Sequence, residues 1–165
     1  MNSSNSWRAR APRLLNDLGL LALRLWLAQE FLLAGYTKLS GGLRAPAWFA
    51  GLAFPFPHGL LGADLNWLFA GVGEVVLGLA LVLGLATRLA AAGLLYISYV
   101  AVHTVHFELG WAGWNQIETE TGLGFKVPLM IGLMLFTLLT QGGGQYALDA
   151  RRQTPRKQAP LTQPT

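Results

Sequence analysis

The apolar positions of this chain fall into long blocks separated by short polar connections, a pattern that a water-soluble fold of 165 residues would interrupt more often. A hydrocarbon core of about 30 Å takes about 20 helical residues at about 1.5 Å each. Four blocks qualify, at roughly residues 14–39, 65–86, 88–107 and 125–140, the last being the shortest and expected to extend into its flanks. The pattern predicts an all-α fold, an integral membrane four-helix bundle in contact with the lipid bilayer.

The connections sharpen this plan. Between the first two helices lies SGGLRAPAWFAGLAFPFPHGLLGADLN, where glycines and the Pro55 and Pro57 pair forbid one continuous helix. Residues 46–52 within it are expected to form a short interfacial helix with Trp48 and Phe49 in the headgroup zone. The turn Ala86-Thr87-Arg88 makes the second and third helices antiparallel neighbours. The longer connection over residues 108–124 offers Trp111 and Trp114 as interface anchors, and three glycines after Gln141 end the fourth helix. Three segments follow: a basic leader (1–13), a membrane domain (14–150) and a tail (151–165) whose Pro, Gln, Thr, Arg and Lys content predicts disorder.

Composition supports the membrane reading, with 53% hydrophobic and 12% charged residues, about half the charged share of a soluble domain. The net charge of +4 does not point to nucleic acid, because eight of the twelve basic residues cluster at the termini or in one tight turn. Arg8, Arg10, Arg13, Arg88, Arg151, Arg152, Arg156 and Lys157 share one side of a four-helix topology, against Lys38, Arg44 and Lys126 on the other. Both termini are therefore expected in the cytoplasm of a multi-pass protein of the bacterial inner membrane. The leader resembles the start of a signal peptide, but the apolar block behind it is long and lacks a small-x-small cleavage site, so it reads as a retained anchor. With no cysteine in the chain, thiolate metal sites and thiol catalysis are excluded.

The candidate chemistry lies in the polar groups inside these blocks, since a charge in hydrocarbon costs a few kcal/mol and calls for a partner or a purpose. The first helix carries Arg24, Gln29, Glu30 and Lys38. Arg24 lies about 15 Å along it and Glu30 about 24 Å, while Lys38 is near the outer surface, where its long stem reaches water. Arg24 and Glu30 stand about 120° apart and cannot pair along their own helix. The second helix offers Glu74 near mid-depth, the only charged residue between Asp64 and Arg88, and an Arg24–Glu74 contact is the specific expectation. His103 and His106 share a face near the outer end of the third helix. They read either as a proton-exchanging or metal-binding pair, joined by Glu108, Glu118, Glu120 or His58, or as amphipathic side chains hydrogen-bonded at an interface. Gly71, Gly73, Gly78 and Gly84 read as packing positions. Trp26, Tyr36, Trp67, Tyr96 and Tyr99 read as packing or belt residues, unless several converge on Glu74 and Arg24 as a flat pocket suited to a quinone ring.

The stretches FLLAGYTKL, PAWFAGLAFPFP, GVGEVVLGLALVLGLATRLAA and GGGQYALDA, in that order, resemble the DoxX family of small four-helix bacterial membrane proteins. HTVHF followed by GFKVPLM is similar to its HvfX branch, found beside biosynthesis genes for copper-binding modified peptides. The resemblance implies an inner-membrane subunit related to the DoxD-type subunit of a thiosulfate:quinone oxidoreductase, or a member of an oxidative- or metal-stress complex, with a protein partner encoded nearby. The family-like positions are Gly35, Lys38, Glu74, Gly78, Arg88 and Asp149, and Arg24 and Glu30 sit where polar residues are common in such proteins.

Three functions stay open at this point. The first is a redox-linked subunit or partner of an oxidoreductase, binding quinone around Arg24, Glu30 and Glu74. The second is a non-catalytic scaffold for metal-peptide handling, with Lys38, His103 and His106 on its outer face. The third is a small-solute transporter, for which four short helices would need a homodimer.

Overall fold

The computed structural model describes residues 6–152, with side chains for residues 15–150. The first five residues of the basic leader and the tail beyond Arg152 lie outside the described residues.

The described residues form four long helices: α1 (Ser6–Ser40), then, after the one-turn α2 (Ala47–Ala50), α3 (Ala63–Leu83), α4 (Thr87–Val105) and α5 (Lys126–Gln141). A short α6 (Leu148–Arg152) closes the described chain. Successive long helices run in alternating directions, so one end of the bundle, the terminal end, gathers the α3–α4 turn and α6. The loop end gathers the α1–α3 and α4–α5 connections. Residues 15–40 of α1, all of α3 and all of α4 are long and apolar enough, by length and composition, to cross a membrane. At 16 residues α5 is shorter and does not extend into its flanks as expected, because Gly142 closes it with φ +83. The first helix, in turn, begins at Ser6 and takes in most of the leader.

Apolar residues point both ways. Leu27, Leu81, Leu94, Leu135 and Leu138 fill the core, while Leu33, Val76, Leu133 and Phe136 cover the outside, as lipid contact requires. Hydrocarbon solvates leucine as well as another helix does, so close packing must hold the helices together. It is concentrated where α1 crosses α3. A Cβ added at Gly35 would lie 2.8 Å from the Gly71 carbonyl oxygen and 3.1 Å from the Glu74 Cβ, and one at Gly78 would meet Leu32 at 3.0 Å. Glycine at these points lets the two backbones touch and fixes the register of one helix on the other.

The first connection folds back over α3 at the loop end. Pro46 and Gly51 bound the single turn α2, shorter than the expected interfacial helix. Trp48 stays exposed, but Phe49 turns inward against Phe54 and Trp67, with ring centroids 5.1 and 4.9 Å away. The second connection makes a two-turn 3-10 helix (Gly110–Asn115), which keeps Trp111 and Trp114 exposed, and an antiparallel hairpin of two-residue strands, β1 (Glu118–Thr119) with β2 (Gly122–Leu123).

A buried ion pair beside an aromatic cavity

Charged side chains enter the bundle at two levels, and the partner expected for Arg24 is not the one it has. At the terminal end Arg24 is 1% exposed and donates to three carbonyls: Nε to Leu81 at 2.9 Å, Nη2 to Val82 at 3.0 Å and Nη1 to Gly143 at 2.8 Å. The first two belong to the last turn of α3, whose carbonyls have no partner within the helix, and a cation there also suits the helix dipole. That turn ends in the left-handed Gly84, with Leu85 N–H donating to Ala80 and Gly84 N–H to Leu81. Gly84 leaves no room for a side chain, since a Cβ would lie 2.6 Å from Ala147 and 2.8 Å from the Arg24 guanidinium carbon.

The other charged groups at this end also hold main chain. Asp149 accepts from the Ala86 and Thr87 N–H groups, both at 2.7 Å, and so caps α4. Arg88 donates to the Thr140 carbonyl near the end of α5, and Asp17 accepts from Gln145 N–H. The depression of about 540 Å³ that these residues border is a clasp between backbone segments.

At the loop end Glu74 pairs with Lys38. The Lys38 ammonium donates to both carboxylate oxygens, at 2.9 and 2.8 Å, with the Glu74 side chain 7% exposed and that of Lys38 23%. Lys38 thus turns into the bundle, where the sequence led us to expect it to reach water. The reason is geometric: helical side chains lean toward the N-terminus of their own helix. In antiparallel α1 and α3, Lys38 leans inward and Glu74 outward, so they meet across the Gly35–Gly71 contact. The expected Arg24–Glu74 pair fails for the same reason, because Arg24 leans toward the terminal end and Glu74 away from it.

The pair borders a cavity of about 510 Å³ between the outer halves of α3 and α4, roofed by the first connection. Its walls include Trp48, Phe49, Phe54, Phe69 and Tyr96, with His58, Asn66 and His106 among the polar groups. Phe69 and Tyr96 are also exposed on the bundle surface, so the cavity rim reaches the lipid-facing side.

The remaining candidates scatter. Glu30 is half-buried, lies off the cavity, and has no hydrogen bond or ion pair among the described residues. His103 is exposed on α4, whereas His106 caps that helix, so of the two only His106 borders the cavity. Burial holds the His106 imidazole below its usual value, opposed by a hydrogen bond to the Gly124 backbone and by Glu108. Among the described residues no group of three or more His, Cys, Asp or Glu is placed to hold a metal ion. Of the five aromatic residues considered from the sequence only Tyr96 lines the cavity. Trp67 packs behind Phe49, and Trp26, Tyr36 and Tyr99 face outward. Asn66 escaped the sequence reading; its one signal is a lone amide at the start of an otherwise apolar helix.

The fold and site define a multi-pass, all-α membrane protein with an ion pair set beside an aromatic cavity in one half of the bundle. The DoxX family model matches residues 19–107. A Haemophilus influenzae protein, described only as uncharacterized, is 36% identical over 136 residues, covering 81% of this chain and 83% of its own. The chain belongs to the DoxX family. No solved structure gives a significant match.

Proposed function

We propose that this protein is a redox-linked membrane subunit that binds a quinone-type ring in its loop-end cavity and works with an oxidoreductase partner. The observation that carries this reading is the Lys38–Glu74 pair bordering an aromatic cavity that reaches the lipid-facing surface. A buried ion pair is a weak source of net stability, since desolvation offsets much of its attraction. Next to an apolar cavity it supplies the few fixed polar groups that orient a ligand. The volume of about 510 Å³ lies within the range of small-molecule sites, and aromatic walls suit a flat ring arriving from the bilayer. In this reading the site forms around Lys38 and Glu74, and Arg24 builds the fold. The scaffold for metal-peptide handling draws less support, because no further His, Asp or Glu joins His103 and His106 in a metal-holding group among the described residues.

The test is titration of the purified protein in nanodiscs with a short-chain ubiquinone, read by quenching of tryptophan fluorescence, with Trp48 in the cavity wall as reporter. Saturable quenching is expected, weakened roughly tenfold by Glu74→Gln, as for loss of one charge-assisted contact. Absence of saturable quenching, together with absence of co-purifying quinone, overturns the proposal.

A further inference from the structure

His58 and Asn66 give the cavity a defined hydrogen-bond polarity. Asn66 is 4% exposed, and one end of its amide faces two carbonyl oxygens, His58 at 3.0 Å and Leu61 at 3.4 Å. Carbonyls only accept, so that end is the NH₂ group and the amide oxygen is the atom 2.7 Å from His58 Nδ1. An amide oxygen also only accepts, so Nδ1 carries the proton. In the neutral ring Nε2 then keeps its lone pair, and it has no hydrogen-bond partner among the described residues. The ring lines the cavity and lies against Tyr96, with centroids 5.6 Å apart.

The rest of the polar wall leans the same way. Glu74 offers carboxylate oxygens, which only accept, and Lys38 directs two of its three N–H groups at them. Of the other polar groups lining the cavity, the Thr104 hydroxyl donates to the Val100 carbonyl and the His106 ring bonds the Gly124 backbone, while one Lys38 N–H and the Tyr96 hydroxyl can bond a ring oxygen of any kind. Both Glu74 oxygens are already engaged by Lys38, so His58 Nε2, with no partner among the described residues, is the free acceptor that discriminates most strongly. A hydroxyl donates to it, whereas a carbonyl oxygen would set lone pair against lone pair.

We propose that the His58–Asn66 pair makes the cavity selective for the hydroxyl form of its ring ligand, a dihydroxy quinol in preference to the corresponding quinone. This rests on the ring-binding reading above and adds to it the oxidation state that is recognised. A site built to bond a hydroxyl rejects an analogue that cannot donate, and a single buried contact of this kind corresponds to roughly tenfold or more in affinity.

Two measurements test it. Nitrogen-15 spectra of protein labelled at histidine, of which the chain has three, assign the His58 tautomer in the absence of ligand. A proton on Nδ1 and an unprotonated Nε2 are expected, and a proton on Nε2 alone overturns the proposal. The second is anaerobic equilibrium dialysis of ubiquinol-1 against ubiquinone-1 with wild type and His58→Asn in nanodiscs. Asparagine keeps an amide N–H at the position of Nδ1 to donate to Asn66 and removes Nε2. Wild type is expected to prefer the quinol by roughly tenfold, and His58→Asn to bring the two within about twofold, chiefly by losing quinol affinity. Ring binding with an unchanged ratio overturns the selectivity alone, whereas binding of neither form by wild type overturns the ring-binding reading and this one with it.

Discussion

Arg24 and Lys38 lie 14 residues apart on one face of α1, about four turns, and both turn inward, yet they do different work. The hydrogen bonds of Arg24 all end on main chain, three carbonyls from two segments, with the Asp149 carboxylate acting on its charge and Gly84 and Gly143 pressed so close that a methyl group would clash. Lys38 meets a single carboxylate, and beside that pair the packing opens into a cavity. A buried cation whose hydrogen bonds all end on backbone joins helices. One that ends on another ionised side chain beside open space keeps chemistry available. Burial separates the two only in degree, Arg24 being closed off and Lys38 partly open; what the donors point at separates their work.

The contrast can be broken first at the clasp. Arg24→Met leaves the Val82 and Gly143 carbonyls without this donor and Leu81 with the Gly84 N–H alone, and should lower stability by about 2–4 kcal/mol, read as loss of thermal stability in detergent, with ring binding falling only in step with the folded fraction. Wild-type stability for this variant would remove the clasp from the comparison. Gly84→Ala follows: the left-handed φ of +66 and the contact with Ala147 and Arg24 should cost about 1–3 kcal/mol, while the affinity of correctly folded protein for the ring probe stays within about twofold. The smallest effect belongs to the loop end. Burial depresses the His106 imidazole, so the unfolded chain takes up that proton more readily than the folded one. The stability contributed by neutral His106 is full above its usual value of about 6.5 and is lost as pH falls through it toward the depressed folded value. Thermal melts from pH 7.5 to 5 should show this decline, and His106→Gln should flatten it.

The helices were legible because a bilayer imposes a length on apolar blocks, and α3 and α4 lie within a few residues of the positions the pattern assigns. The start of α1 was not, because arginines at a membrane surface do not interrupt a helix. Arg24 was misread because carbonyls leave no mark in a sequence: every residue has one, and only the fold brings two from the end of α3 and one from Gly143 within its reach. The Lys38–Glu74 pair was within reach of the sequence, since the lean of helical side chains in antiparallel neighbours brings these positions together. Treating Lys38 as an interfacial residue hid it. His58 and Asn66 were beyond reach, because their meeting depends on how the Pro55–Pro57 connection folds back over α3.

The reach of Arg24 has a consequence for the order of synthesis. Its third acceptor, Gly143, follows it by 119 residues, so nearly the whole chain must be translated before the guanidinium has all its partners. Until α3 arrives, the nascent first helix carries an uncompensated charge worth about 2.5–3.5 kcal/mol against insertion. The α1–α3 hairpin, held at Gly35 and Gly78, is the first intermediate able to relieve that charge, through Leu81 and Val82. A chain arrested before α5 would leave the insertion machinery with two of the three carbonyls in place.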